Sequence, residues 1–350
     1  MKRLLAITAA AVLILSALTG CGSSGTNTPG TPDTSDTPNE SGFPVMEITL
    51  AHSAATSHAH HSGAVAFAEK VSELTGGNVT VNIYPASELG DQPALIESCY
   101  TGGDVQIVIA SQSNMASYMP KLNAFGAPFM FESYDHAHRT MDNYVLGWIN
   151  EDSAEQMNMH ALSMFDYGFR HVTTNGIAVN SAEDMKGLKI RVPSSSVLLA
   201  TFDSLGSNTQ TIAYAELYQS LKQGVVDAEE NPVATIMADC LYECQDTLVL
   251  TGHLFDGQCL LINQELWDSF SPELKAVFEE AALAGQQVTR DLVSGEEEST
   301  IAALQEKGMT VIHPDLQSFV DAMGPVYEQI AQLSGQEELD NMLAAVEANR

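Results

Sequence analysis

Between Met46 and Ala110 the chain alternates two hydrophobic rhythms, and this alternation limits the possible folds more than any other feature. Met46 to Ala51 (M-E-I-T-L-A) and Val79 to Tyr84 place apolar residues at every second position, the pattern of a strand. Ala64 to Leu74 (A-V-A-F-A-E-K-V-S-E-L) has the spacing of an amphipathic helix and stops at Gly76-Gly77. A second helix is predicted from Gln92 to Thr101, closed by Gly102-Gly103, and Val105 to Ala110 is a nearly continuous apolar strand. Strands separated by helical crossovers of this length pair in parallel, since a hairpin needs only a few residues between strands. The predicted class is therefore α/β, with a layered, mononucleotide-fold-like start.

The rest of the chain continues that theme. A chain of 350 residues exceeds what one core usually supports, so two domains are expected. A helical segment is predicted around His136 to Asn150, a strand from His160 to Phe165, and strand material that recrosses between the domains from Leu248 to Leu261. Ser271 and Pro272 have the residue types of an N-cap and a first helical turn. That helix is predicted to run past Glu297 to Gln305. A short strand follows at Thr310 to Ile312, and the tail from Leu316 is helical. The expected division is 45–167 with 257–296 as one domain and 168–256 with 297–350 as the other.

Charge and the first residues set the compartment. Forty-five acids against fourteen lysines and arginines give a formal charge of -31, which excludes nucleic acid and anionic membrane surfaces as partners. Lys2 and Arg3 precede an apolar run from Leu4 to Leu18, shorter than the roughly twenty residues of a membrane span. Residues 1–20 read as a signal peptide. L-T-G-C at Leu18 to Cys21 resembles the lipobox of bacterial lipoproteins, in which the cysteine takes a lipid. Residues 21–44 then form a flexible, Ser/Thr/Pro/Gly-rich linker. The mature protein is expected outside the cytoplasm, anchored by lipid to the outer face of the membrane, and monomeric. Cys99, Cys240, Cys244 and Cys259 contain no C-x-x-C and suggest no disulfide framework.

The chain has no G-x-S-x-G, H-E-x-x-H, P-loop or G-x-G-x-x-G, so an enzyme is not expected and no cofactor is implied. His58, His60 and His61, with His52 nearby, raise the alternative of a secreted metal-binding protein. They also sit where a helix begins, so His52 or His58 facing an organic ligand is the preferred reading. G-L-K-I-R-V-P (Gly187 to Pro193) reads as a half-buried strand whose second face carries Lys189 and Arg191. F-D-Y-G-F-R-H-V (Phe165 to Val172) sets Arg170 among aromatics. A guanidinium matches a carboxylate in two parallel hydrogen bonds, while a structural ion pair is the other common fate of an arginine in an acidic chain. Asn231, before a proline, can donate an amide hydrogen to a carboxylate or hydroxyl, or simply serve a turn.

G-L-K-I-R-V-P, followed by E-L-Y-Q-S-L-K-Q-G-V-V-D-A-E-E-N-P (Glu216 to Pro232), resembles the extracytoplasmic solute receptors of TRAP transporters, the dicarboxylate-receptor family. Thr75 to Asp91, Ala127 to Phe131 and Leu266 to Glu273 agree in order, so the resemblance covers about residues 46–345. It implies a two-domain periplasmic-binding-protein-like α/β fold, with hinge-crossing strands and a long domain-spanning helix, closing over a small organic acid. It also implies a TRAP membrane permease as partner. Arg191 is then expected to salt-bridge the ligand carboxylate, with Arg170 assisting. Asn231 and a first-domain polar residue (Gln92, Ser111 or Ser113) would orient the rest. A sugar acid such as a uronate and a C4-dicarboxylate both suit this arrangement. Two departures, Glu88 where the family often has glutamine and the H-A-H-H run, bear on the ligand end away from the carboxylate.

Overall fold

The computed structural model describes residues 42–350; the signal peptide, Cys21 and most of the linker lie outside the described residues. Nine strands form one sheet: β1 (Met46–Ala51), β2 (Val79–Tyr84), β3 (Ile107–Ser111), β4 (Met159–Thr174), β5 (Lys189–Val192), β6 (Asn208–Thr211), β7 (Ala228–Pro232), β8 (Thr247–Asn263) and β9 (Thr310–Ile312). Their order is β2-β1-β3-β8-β4-β7-β5-β6, with β9 added beside β8. β1 pairs in parallel with β2 and β3 at one end, and β5 with β6 and β7 at the other. The crossover reasoning from sequence holds for the first set, and the second repeats the same arrangement. Joining them are β4 and β8, antiparallel over nearly their full lengths of 16 and 17 residues.

β4 departs from the sequence reading. Its strand does not stop at Phe165 but continues through the whole aromatic segment to Thr174. Three register shifts against β8, at Ala161/Ser163, Asp166/Gly168 and Arg170/Val172, let so long a strand bend. Gly168 makes the middle one possible. Its φ is +111°, and a Cβ there would lie 2.9 Å from the Tyr134 hydroxyl and from a Val293 methyl.

The helices cover both faces. Ala59–Leu74 begins five residues earlier than its apolar spacing suggested, so His60 and His61 lie in its first turn and His58 is its N-cap. The segment predicted as a helix around His136 extends from Tyr134 to Met157, through a π turn at Met141–Val145. Ser271 caps Pro272–Val293 by accepting from the Leu274 amide at 3.2 Å. The expected continuation to Gln305 is interrupted: the helix ends at Val293, and a separate one spans Glu297–Glu306. Gly295 sits at the break, its amide bonded back to the Arg290 carbonyl. Among the described residues Cys99, Cys240, Cys244 and Cys259 are free.

Helices Ala59–Leu74 and Pro272–Val293 touch through Gly63 and Gly285. A Cβ on Gly285 would stand 2.7 Å from the Gly63 carbonyl oxygen and 2.7 Å from the Phe165 ring. The two groups are backbone and packed aromatic, so neither can yield cheaply. Gly285→Ala is expected to cost about 1–3 kcal/mol by overpacking, read as a lower urea midpoint of the purified protein. Gly147→Ala, in a helix with no atom within 4 Å of the added methyl, should be neutral or stabilising by up to about 1 kcal/mol.

Candidate ligand site

β5 lies inside the sheet between β6 and β7, and this placement changes the reading of its polar face. Lys189 is exposed, but Arg191 is 1 % exposed and among the largest fully buried side chains. The strand is therefore not half-solvated: one of its two cations is in the interior. Arg191 Nε donates to the Ile212 carbonyl at 2.9 Å, and among the described residues no carboxylate comes within ion-pair distance of its guanidinium. Burial lowers its pKa, with Glu230 and Glu229 acting against that shift. An arginine remains charged regardless. The result is a desolvated cation with donors to spare, at the wall of a cavity of about 450 Å³.

Arg170 also lines this cavity, but its donors are spent on protein. Nε and Nη2 grip the Glu230 carboxylate at 2.5 and 2.8 Å, and Nη1 reaches Asp256 Oδ2 at 3.1 Å. Nη2 also donates to the Glu230 carbonyl at 2.8 Å and to Asn231 Oδ1 at 3.1 Å. The ion-pair alternative thus describes this arginine, which reaches the ligand space mainly through the residues it holds. Asn231 is doubly pinned, since Tyr167 donates its hydroxyl to the same Oδ1 at 3.2 Å and Nδ2 donates to Glu229 at 2.5 Å.

Across the cavity lie Gln92, Ser111 and Ser113, the three first-domain candidates. Gln92 Oε1 collects the Ser111 amide at 3.1 Å, the Ser111 hydroxyl at 3.2 Å and Asn114 Nδ2 at 2.6 Å, while its Nε2 donates to Ser53 at 3.1 Å. Ser113 donates to Gln112 at 2.9 Å. Gln92 is therefore a hub that fixes this wall.

The histidines separate. His58 lines the cavity, with Nε2 3.4 Å from the Tyr214 hydroxyl and 3.7 Å from Asp239, to which Tyr214 is itself hydrogen-bonded. His60 lines it too, its ring tilted 30° against Tyr167 at 5.0 Å between centroids, with Nε2 3.1 Å from the Asp166 carbonyl. His52 was expected to face the ligand and does not line the cavity: it is buried against His61, Nε2 to Nδ1 at 3.2 Å. The helix begins at Ala59, which turns His61 away from the cavity and toward His52. Burial, then the neighbouring His61 and His58, push the His52 pKa down to about 4. With ring nitrogens aimed at separate partners, the cluster does not converge. Among the described residues no group of three or more His, Cys, Asp or Glu is placed to hold a metal.

Sequence reasoning missed Tyr167, Tyr214, Asp256 and Gln258, all lining the cavity. Asp256 and Gln258 interrupt an otherwise apolar strand at positions two apart, and Tyr167 stands in a similar place on β4. Polar residues on one face of a strand that is buried throughout were the available signal.

A family model described as bacterial extracellular solute-binding protein, family 7, matches residues 50–333. The chain belongs to that family. Solved structures similar to it are described as TRAP periplasmic solute-binding proteins. The 2,3-diketo-L-gulonate-binding periplasmic protein YiaO of Escherichia coli is 30% identical over 285 residues, 81% of this chain and 86% of that one. A TRAP periplasmic solute-binding protein of Polaromonas sp. JS666 bound to D-erythronate superposes with a TM-score of 0.81 at 28% identity, covering 85% of this chain and 98% of that one. One from Sulfurospirillum deleyianum with bound succinate gives 0.79 at 28%, covering 87% and 100%. The two-domain α/β fold expected from the sequence is the fold of these neighbours. No helix among the described residues is long and apolar enough to cross a membrane.

Glu229 provides a test of the buried network. Burial, partly offset by hydrogen bonds from Thr173 and Asn231, pushes its pKa up from 4.5 to about 7. A proton on Oε1 would be shared with Thr173 Oγ1 at 2.7 Å, which can pass its own hydrogen to Gln245 at 3.2 Å. The folded state then binds more protons than the unfolded state between those pKa values. Stability from this group is full below about 4.5 and is lost as pH rises to about 7. Glu229→Gln mimics the protonated side chain and should remove this slope from stability measured between pH 4.5 and 7. Asp256, which burial raises from 3.8 to about 6, and His52, lowered to about 4, act with opposite slopes in this range and are common to both proteins, so the difference between the two proteins isolates Glu229.

Proposed function

We propose that this protein is the solute receptor of a TRAP transporter. It captures a small organic acid, a sugar acid such as a uronate or a C4-dicarboxylate, and delivers it to the membrane permease. One observation carries the reading: a buried guanidinium, Arg191, with no carboxylate partner among the described residues, faces a cavity whose other arginine, Arg170, is already paired with Glu230 and Asp256. Such a cation is costly to desolvate unless an anion completes it. A ligand carboxylate is the missing partner, and Asn231, held by Arg170 and Tyr167, is placed beside it. Gln92, Ser111 and Ser113 on the opposite wall take the polar remainder. The three relatives named above carry a keto sugar acid, a tetronate and a dicarboxylate in their names, and all of these are organic acids.

Capture is a closure of two lobes, 45–167 with 257–296 and 168–256 with 297–350. Two of the three crossings fall at the β4–β8 bulge, where Asp166 faces Gly257 and Gly168 faces Asp256; the third lies at the start of helix Glu297–Glu306. A bulge there concentrates bending at two residues on each strand. The lips meet where Ser57 donates to the Ala238 carbonyl at 3.5 Å and His58 approaches Tyr214. Lipidation at Cys21 would keep the receptor near its permease.

Thermal denaturation with and without acids tests the reading. An acid at a hundredfold excess over its Kd should stabilise by about 2.7 kcal/mol, and Arg191→Met should abolish the shift. Stabilisation by zinc alone, or an acid shift undiminished in Arg191→Met, would contradict it.

A further inference from the structure

We propose that the site selects an acid with a single carboxylate and a hydroxylated chain, and that Asp256 excludes a second carboxylate. This narrows the receptor reading and rests on it. The argument is a count of charges at the cavity. Among the described residues that line it, the lysine and arginine cations are Arg170 and Arg191 alone. The charge of Arg170 is met by Glu230 and Asp256, so Arg191 is the one guanidinium at the cavity without a carboxylate among the described residues. A first ligand carboxylate takes those donors. A second carboxylate would find no cation, and it would meet Asp256 in the wall, with Asp91 and Glu216 at more exposed positions.

Asp256 is the decisive one of the three because it is buried, 2 % exposed, where water does not screen it. Its Oδ2 binds Arg170, while its buried Oδ1 meets no well-formed hydrogen bond, the Gly257 backbone N–H acting only weakly on this carboxylate. A buried carboxylate oxygen so poorly served is a rare and costly feature, and a ligand hydroxyl is the donor that would relieve it. A hydroxyl gains there what a carboxylate loses. The surrounding wall is built for the same chemistry, since Tyr167, Tyr214, Gln92 and Gln258 offer hydrogen bonds without charge.

Galactonate and galactarate share one polyol skeleton and differ only in whether the far carbon is a hydroxymethyl or a carboxylate. Calorimetric titration of the purified protein with each, and with succinate, isolates the second charge. The expected result is galactonate binding at least about a hundredfold tighter than galactarate or succinate, as like-charge juxtaposition demands. In Asp256→Asn the gap to galactarate should narrow at least tenfold. A purely structural role for Asp256 would instead weaken both ligands in parallel and leave the ratio unchanged. Galactarate or succinate matching galactonate in the unaltered protein, with binding lost in Arg191→Met, would overturn the selectivity and leave the receptor reading intact. Binding of no acid among galactonate, glucuronate, galactarate and succinate would overturn both.

Discussion

The Arg170–Glu230–Asp256 cluster is the interaction on which this structure depends. It ties together β4, β7 and β8 where the long strands pass from one parallel set to the other. Desolvating one cation and two carboxylates is expensive, and the geometry answers that cost with a two-point grip on Glu230 and a further bond to Asp256. His253 adds a contact to Glu230 at 3.2 Å. Burial alone would raise the Glu230 pKa, yet Arg170 and His253 hold it below the ordinary carboxylate value. A cluster this heavily paired specifies how the strands sit. It also meets the charge of Arg170 with carboxylates, so Arg191 is the cation at the cavity left without one among the described residues.

That division of labour explains how a strongly acidic protein can receive an anion. The long-range field of a -31 chain repels an acid, but it is screened over about 8–10 Å at physiological salt. Inside the cavity the local terms decide, and there a desolvated guanidinium attracts far more strongly than in water. Hydrogen-bond networks on the two walls, Gln92 with Ser111 and Asn114 on one side and Asn231 with Tyr167 and Glu229 on the other, hold acceptors and donors in place before the ligand arrives. Preorganisation of this kind lowers the ordering cost of binding.

The elements most readable from sequence were those with a clean period. β1, β2 and β9 have the predicted bounds, and Ser271 caps the predicted helix. Errors arose where the chain context overrode local pattern. β4 was cut short because the aromatic run after Phe165 looks unlike its start, yet pairing with β8 supports the whole length. The long helix was drawn through Gly295 because helical composition resumes beyond it. His52 was placed at the ligand because it lies close in sequence to His58, although the turn into helix Ala59–Leu74 sends it elsewhere.

The amino-acid sequence by itself determined the α/β class, the first parallel set joined by helical crossovers and the strand that carries Arg191, because these follow from local periodicity and residue geometry. Family membership was legible too, through the motifs around Arg191 and Asn231. Tertiary structure alone decided which arginine is free. Arg170 and Arg191 are the same residue type on similar strands, and nothing within a few residues of either distinguishes them. The difference lies in Glu230 and Asp256, sixty and eighty-six positions away from Arg170, which the sheet brings to it and not to Arg191. Long-range pairing of charges is settled by the register of strands, and that register exists only in the folded chain.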